Sequence, residues 1–192
     1  CINFEPFQNE KFNIDSIRNE GIYGLCLIEG LDGKVKSDKL IKQRVESAGI
    51  KSINAIVDIT NYVMIEQGQP LHAFDADSLE KITNSTVKKE DFGIRRAKQG
   101  ECFLSLDGVI LELNEESLVV TCHNIPIALA GVIGGKDSAV NSNTKRIWLE
   151  SAVFSPESVR KTSRAIGKRT EASSRFEKGI PKEITLHAAE RA

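Results

Sequence analysis

The sequence predicts an α+β fold in which helices flank a mostly antiparallel, barrel-like β core, arranged as two intertwined lobes. A run of short apolar segments separated by turn residues occupies positions 85 to 152, which is typical of antiparallel strands. Helical patterns lie before and after this run and do not alternate with it, so a parallel sheet of β–α–β units is not expected. A chain of 192 residues is long enough for one large domain, or for two small lobes that share a core.

Residues 1–22 show no clear periodicity, and we expect a linker or an edge segment there, ahead of one domain over residues 23–192. The apolar segment Gly24–Leu31 predicts a strand. Ser37 is placed to cap a helix that Gly49 ends, because a serine side chain accepts from helical N–H groups and glycine tolerates the left-handed position after a helix.

A second helix is predicted over Asn61–Gln67, with Asp58 or Thr60 as its cap. Gly68 and the proline that follows it stop this helix. The next segment, Leu71–Asp75, is then expected to form an exposed loop or a short strand.

Six strands are predicted in the central run. Residues 106–108 are a strong hairpin signal between the second and third of them. Gly131, Gly134 and Gly135 interrupt the run further on and indicate close approach of backbone segments. The predicted strands are Phe92–Ala97, Glu101–Leu106, Val109–Leu113, Leu118–Thr121, Pro126–Ile133 and Arg146–Ala152.

Two helices are predicted near the C-terminus. The first follows Ser155, has Pro156 at its first position and runs to about Ala165. The second starts near Pro181 and is truncated by the end of the chain. Since the chain also begins without Met, we expect it to be a piece of a longer protein.

Composition and charge exclude several classes of function. The formal net charge of −1 is too low for a domain that grips nucleic acid strongly by itself. No apolar run approaches the length that crosses a bilayer, and no signal peptide precedes the domain, so a cytoplasmic protein is expected. The four cysteines form no Cys-x-x-Cys pair, which excludes a zinc knuckle and favours reduced thiols. Neither a phosphate-binding glycine loop nor a Gly-x-Ser-x-Gly elbow is present.

Two side chains stand out on chemical grounds. His72 follows a proline in a predicted loop close to Asp75, where a functional role is one of two interpretations. Glu150 ends the apolar segment Ile147–Glu150, so it is either a carboxylate on the rim or a buried one that requires a partner. The basic residues of the last quarter, from Lys161 onward, fit either a solvated helix face or a contact with phosphates.

Four sequence blocks, in order, resemble the phenylalanyl-tRNA synthetase beta chain family. The resemblance covers roughly residues 37 to 192 and leaves residues 1–22 unmatched. The blocks are Ser52–Val63 continued by Gly68–Asp75, Leu129–Gly135, Leu149–Pro156 and Arg169–Gly179.

The resemblance implies a tRNA-editing domain of the bacterial-type beta subunit. Such a domain binds the mischarged 3′ end of tRNA(Phe) and hydrolyses the ester of tyrosine. It needs no cofactor and no metal, whereas the parent enzyme uses ATP and Mg²⁺ and is an α2β2 assembly with the alpha subunit. A non-catalytic tRNA-binding or scaffolding module of the same subunit, and a free-standing relative that clears mischarged tRNA, remain alternatives.

The resemblance also implies the site residues. Glu150 matches the glutamate that accepts a hydrogen bond from the tyrosine phenol, and His72 and Thr60 match polar residues beside the scissile ester. Gly134 would let the backbone approach the ligand and offer amide donors. The pocket wall would include Thr170, Ala172 and Pro70.

The sequence departs from the family's pattern at two places. Lys51 stands where an arginine is common, which matters if that side chain clamps a phosphate. The connection over Gly24–Lys36 also differs from its relatives, so contacts from this edge are not carried over.

Overall fold

The computed structural model describes residues 4–6 and 21–192. The α-helices are α1 (Lys39–Ser47), α2 (Ala55–Gln67), α3 (Ala76–Thr83), α4 (Pro156–Ala165), α5 (Glu171–Phe176) and α6 (Ile184–Arg191). The strands are β1 (Phe4–Pro6), β2 (Gly21–Glu29), β3 (Leu71–Asp75), β4 (Phe92–Arg96), β5 (Glu101–Leu104), β6 (Ile110–Leu113), β7 (Leu118–Cys122), β8 (Ile125–Leu129), β9 (Ile133–Gly134) and β10 (Arg146–Phe154).

Strand β10 lies inside the first sheet, whose strand order is β1-β2-β10-β3. It pairs antiparallel with β2 along all nine of its residues and with β3 along five. Every residue of β10 after Arg146 is buried. The strand is therefore covered on both faces, and the apolar run that predicted it reflects that double burial.

The two faces of this sheet carry different cores. One face contributes Tyr23, Leu25, Phe74 and Trp148 to the main core, which also contains the buried residues of the second sheet. The opposite face contributes Ala73, Ile147 and Leu149 to a smaller cluster. Helix α2 covers this second cluster through Ile56, and α6 lies on the same side, where the Ser151 hydroxyl donates to Thr185 O at 2.8 Å.

The second sheet has the order β4-β7-β8-β9, and all five residues of β7 are buried. The hairpin β5–β6 forms a separate two-stranded sheet, joined to β9 by an isolated bridge between Ser105 and Gly135. The antiparallel α+β class is thus confirmed. The barrel-like core is not, because each sheet in the described part of the chain is open.

Several boundaries differ from the prediction. Strand β2 begins at Gly21, ahead of the predicted Gly24, and Phe4–Pro6 pair with it at the sheet edge. The rest of the expected linker, residues 1–3 and 7–20, lies outside the described residues. The predicted strand Pro126–Ile133 is divided into β8 and β9 by a turn in which Gly131 has a φ of 69°.

Helix α2 begins earlier than predicted. Asn54 is its cap and accepts from Val57 N at 2.9 Å, so neither Asp58 nor Thr60 caps it. The segment after it, Leu71–Asp75, is strand β3 and is largely buried, so the exposed loop was the wrong alternative. The short helices α3 and α5 were not predicted, and Asp38 rather than Ser37 caps α1.

Asp58 has a different task from capping. Its carboxylate is completely buried and accepts hydrogen bonds from the hydroxyls of Ser37 and Ser52 and from Ile53 N, the last at 2.9 Å. A buried charge is tolerated when it is hydrogen-bonded in this way. The carboxylate therefore fixes the chain before α1 and the chain before α2 to each other.

We expect Asp58→Ala to destabilise the domain by about 3 kcal/mol, because three donors lose a charged acceptor. Unfolding in urea, followed by circular dichroism, measures this loss. The control is Glu46→Ala, which removes only an exposed pair with Lys42 at 3.8 Å and should change stability by less than about 0.5 kcal/mol. Equal effects of the two substitutions would contradict the role of Asp58.

Candidate functional site

Glu150 and His72 lie directly opposite each other on neighbouring strands of the first sheet. The β3–β10 register pairs these two residues, and the β2–β10 register places Leu25 on the other side of Glu150. Directly opposed side chains on one face lie within contact distance. Both point to the face that bears Phe74 and Trp148, which is the face of the main core.

Glu150 is a buried carboxyl group with an unused acceptor. The residue is 8% exposed, and its Oε2 atom has no hydrogen-bond partner among the described residues. Burial raises the pKa of Glu150 to about 7, while a hydrogen bond with Tyr23 acts in the opposite direction. Tyr23 pairs with Ala152 and so approaches Glu150 along the diagonal of the ladder. The site therefore holds a carboxyl group that titrates near neutrality.

His72 is a neutral imidazole at physiological pH. Burial lowers its pKa to about 4, so the ring carries no charge above that pH. The ring packs edge-on against Phe74 with 4.5 Å between the centroids. Its Nε2 atom is buried without a hydrogen-bond partner in the described part of the chain. The residue as a whole keeps some exposure, which agrees with a position at the wall of a pocket.

Gly134 touches the other side of the His72 ring. A Cβ atom at position 134 would lie 2.5 Å from Cε1 of His72, closer than any real contact, although the φ of this glycine is ordinary. The carbonyl of Gly134 accepts from Leu106 N at 2.9 Å, which ties β9 to the tip of the β5–β6 hairpin. Glycine is required here by the close approach, as the sequence predicted, and not by backbone conformation.

Thr170 and Ala172 lie at the start of α5, near the strand that contains Gly134. Thr170 caps α5, and its hydroxyl donates to Val132 O at 2.8 Å, two residues before Gly134. Ala172 packs against the main core. The structure thus brings α5 beside β9, close to the predicted pocket wall.

Pro70 lies where the β3–β10 ladder ends. Continuing the register beyond Leu71 and Ser151 would pair position 70 with Ala152, but proline has no N–H to donate. The side chain of Gln69 replaces that donor: its Nε2 donates to Ala152 O at 2.8 Å and to Pro70 O at 3.0 Å. Pro70 and Gln69 are both buried, and Oε1 of Gln69 has no partner among the described residues.

Sequence reasoning did not select Gln69 as a site residue. The available signal was a polar side chain directly before a proline at the start of a buried strand, where a backbone acceptor must lack its usual donor. The strand register places Ala152 opposite Pro70, and only this register identifies Ala152 O as the acceptor for the side chain of Gln69.

Thr60 lies on α2, and its hydroxyl donates to Val57 O at 2.8 Å within that helix. Ile56, one turn earlier, packs on the cluster around Ala73 and Leu149, which is the face opposite to Glu150. Within residues 21–192, Thr60 makes no hydrogen bond to His72 or Glu150. Its predicted role therefore depends on a ligand that reaches the edge of β3.

Four of the eight basic residues from Lys161 onward form ion pairs with carboxylates, one of them between Arg191 and Glu66 at 2.9 Å. Lys161 lies 3.0 Å from Glu157, Arg175 lies 2.7 Å from Glu171, and Lys168 forms an ion pair with Asp107 on the hairpin. The paired residues fit a solvated helix face, and a contact of the other four with phosphates stays a prediction.

In the described ranges, no three His, Cys, Asp or Glu side chains come together as a metal ion would need. No helix there is long and apolar enough to cross a membrane.

The fold and the paired Glu150 and His72 define an α+β module in which a buried carboxyl group has an acceptor oxygen without a partner among the described residues. A family model described as "B3/4 domain" matches residues 20–192, so the chain belongs to the B3/4 domain family.

The relatives carry a common name. The chain is 55% identical over 188 residues to the "Phenylalanine--tRNA ligase beta subunit" of Prochlorococcus marinus (strain MIT 9313), which covers 98% of this chain and 23% of that protein. It is also 55% identical to the protein of the same name from Parasynechococcus marenigrum (strain WH8102), with the same coverage. The chain thus spans about a quarter of the length of these curated relatives.

A solved structure also aligns, but distantly. It is an N-terminal fragment of the phenylalanyl-tRNA synthetase beta-subunit from Pyrococcus horikoshii, with a TM-score of 0.45 and 13% identity. The alignment covers 88% of this chain and 52% of that one.

The shifted pKa values of Glu150 and His72 predict opposite effects of pH on stability. The folded state holds the Glu150 proton up to about pH 7 instead of 4.5, so this group lowers stability as pH rises through that window. The folded state excludes the His72 proton down to about pH 4 instead of 6.5, so this group raises stability over a similar window. In the wild-type domain the pH dependences of stability from Glu150 and from His72 therefore largely cancel.

We therefore expect Glu150→Gln to stabilise the domain increasingly from pH 4.5 to 7, reaching about 3 kcal/mol at pH 8, because it removes the cost of ionising a buried carboxyl group. Urea unfolding at a series of pH values measures the difference from wild type. Glu115→Gln, at an exposed turn, is the control and should show no such trend. A difference for Glu150→Gln that does not change with pH would refute the assignment.

The contact between Gly134 and His72 gives a second prediction. Gly134→Ala should cost about 1–3 kcal/mol of unfolding free energy, because the new methyl group overlaps the His72 ring. The same substitution in a His72→Ala background should cost less than half as much, since the overlapping ring is gone. Equal costs in the two backgrounds would show that the strain lies elsewhere.

Proposed function

We propose that this domain is the tRNA-editing part of a phenylalanine–tRNA ligase beta subunit and that it hydrolyses tyrosyl-tRNA(Phe). The names of the relatives support the choice of enzyme. The observation that carries the choice of reaction is the buried Glu150, which has an unused acceptor oxygen beside a neutral His72.

Selection of tyrosine over phenylalanine follows from the buried acceptor oxygen of Glu150. A tyrosine phenol donates to Oε2 of Glu150, whereas a phenylalanine ring would bury that oxygen without a partner at a cost of about 1–3 kcal/mol. A synthetic site shaped for phenylalanine has difficulty in rejecting an isostere that only adds a hydroxyl. A second site that requires the hydroxyl resolves this difficulty.

Hydrolysis breaks the bond between the ester carbonyl carbon and the ribose oxygen, and water supplies the new hydroxyl group. His72 with a pKa of about 4 is a weak base at neutral pH. Its role in the proposal is therefore to orient the water or hold the terminal adenosine through Nε2, while a tRNA hydroxyl contributes to proton transfer. In the proposal the amide of Gly134 stabilises the oxyanion, because the amides of Gly135 and Lys136 already donate to Ile127 O and Leu104 O at 2.9 and 3.0 Å. Thr60 lines the approach to the ester.

The remaining functions belong to the parent enzyme. We propose that it resides in the cytoplasm and that its alpha subunit charges tRNA with ATP and Mg²⁺ in an α2β2 assembly. The editing domain itself would use no cofactor. Thr170, Ala172 and Pro70 would form the wall of the amino acid pocket, which fits the position of α5 beside β9 and of Pro70 at the end of β3.

The decisive experiment offers tyrosyl-tRNA(Phe) and phenylalanyl-tRNA(Phe) to the full-length ligase that carries this domain. Selective release of tyrosine is expected. A non-catalytic tRNA-binding module would bind both and release neither, so absence of tyrosine release would overturn the editing function.

Glu150→Ala should reduce the preference for tyrosyl over phenylalanyl ester by at least about tenfold, because the acceptor for the phenol is removed. Rates of release of the labelled amino acid give kcat/KM for each ester. Glu115→Ala is the matched control and should leave the preference unchanged. The assigned role fails if the mutant keeps the wild-type ratio.

A further inference from the structure

Gln69 is a fully buried amide whose orientation is fixed by its neighbours. Its Nε2 atom donates to two carbonyls, Ala152 O at 2.8 Å and Pro70 O at 3.0 Å. Two acceptors can be served only by the NH₂ group, so the network determines which end of the amide is which. The oxygen Oε1 is consequently turned away from both carbonyls.

That oxygen has no hydrogen-bond partner among the described residues, although it is buried. A buried carbonyl oxygen without a donor is costly, and such groups in folded proteins are matched by a ligand or a solvent molecule. Since Oε1 can only accept, its partner must bring an N–H or O–H group.

Gln69 lies near Glu150 and His72 along the β3–β10 strand pair. Its amide meets β10 at Ala152, two residues beyond Glu150, and two residues of a strand span roughly 7 Å. His72 belongs to the strand that begins next to Gln69 and lies opposite Glu150, so the free oxygen of Gln69 lies at the end of the same strand pair.

We propose that Oε1 of Gln69 accepts a hydrogen bond from the α-amino group of the bound aminoacyl ester. The inference rests on the proposed function, in which Glu150 takes the phenol at the opposite end of the same ligand. Gln69 thereby holds the amino end of the substrate and places the ester beside His72. Its two N–H donors have the separate structural task of closing the ladder at Pro70.

The test compares two substrates on four forms of the full-length ligase. The substrates are tyrosyl-tRNA(Phe) and its analogue that carries 3-(4-hydroxyphenyl)propionate, which lacks only the α-amino group. The forms are the wild type, Gln69→Met, Gln69→Glu and the control Gln67→Met at the partly exposed end of α2. The measured quantity is the ratio of kcat/KM for the two esters.

Wild type and the control should prefer the ester with the amino group, and Gln69→Met should reduce that preference by about tenfold. Gln69→Glu loses the donors but keeps an acceptor, so it should retain the preference even if its overall rate falls. A purely structural Gln69 would lower both rates together and leave the ratio unchanged in every form, which would overturn the inference.

The two levels of the proposal fail in different ways. No release of tyrosine by the wild type would remove the proposed function and this inference together. Selective release of tyrosine with an unchanged substrate ratio in Gln69→Met would remove only the role of Gln69. If Gln69→Met does not fold, Gln69→Lys takes its place, because it keeps a donor for the carbonyls of Ala152 and Pro70 but has no acceptor. Its ratio should fall toward unity, and a wild-type ratio would overturn the role of Gln69.

Discussion

The register between β3 and β10 is the constraint on which the rest of the structure depends. It places Glu150 opposite His72 and directs both toward the main core. Because side chains alternate along a strand, a slip of one residue would exchange these two groups with apolar neighbours such as Leu149 and Ala73. The main core holds one face in place, and the smaller cluster under α2 holds the other. A site made of two polar side chains is therefore positioned by apolar packing on both sides of a single strand.

The same strand pair carries groups that do not favour folding. Glu150 and Gln69 each present a buried oxygen, and His72 a buried nitrogen, that has no hydrogen-bond partner among the described residues. Natural proteins retain such features where function requires them and offset them elsewhere. Here the fully hydrogen-bonded Asp58 shows the alternative, a buried carboxylate whose oxygens are occupied by serine hydroxyls and a backbone N–H. The contrast between Asp58 and Glu150 separates a structural acid from one suited to a ligand.

Local patterns in the sequence predicted much of the fold, and tertiary contacts account for what they missed. The hairpin of β5 and β6 followed from its turn residues, and β10 from its apolar run. The start of α2 was placed too late because Asp58, a good cap residue, is bound by side chains distant in the chain. Helix α5 has six residues, too few for a clear period. The barrel-like core is not confirmed, and a list of predicted strands could not decide it, because such a list does not state which strands pair.

The site was predictable in its parts but not in its arrangement. The chemistry of a glutamate in an apolar strand and of a histidine after a proline pointed to Glu150 and His72, yet only pairing shows that they face each other. The contact of Gly134 with His72 and the use of Gln69 as a substitute donor depend on segments more than sixty residues apart. No local pattern contains that information.

The proline that ends the ladder also affects how this protein meets other molecules. β3 is the outer strand of its sheet, and such edges invite pairing with strands from other chains. Its last two residues are already engaged, since Phe74 bridges to Ala139 and Asp75 N donates to Ser138 O at 2.9 Å. With Pro70 unable to donate at the other end, only the first three residues of β3 remain open in the described part of the chain, which shortens the edge offered to another strand. The proline turn beside His72 thus also limits the length of this edge on which a strand of another chain could pair.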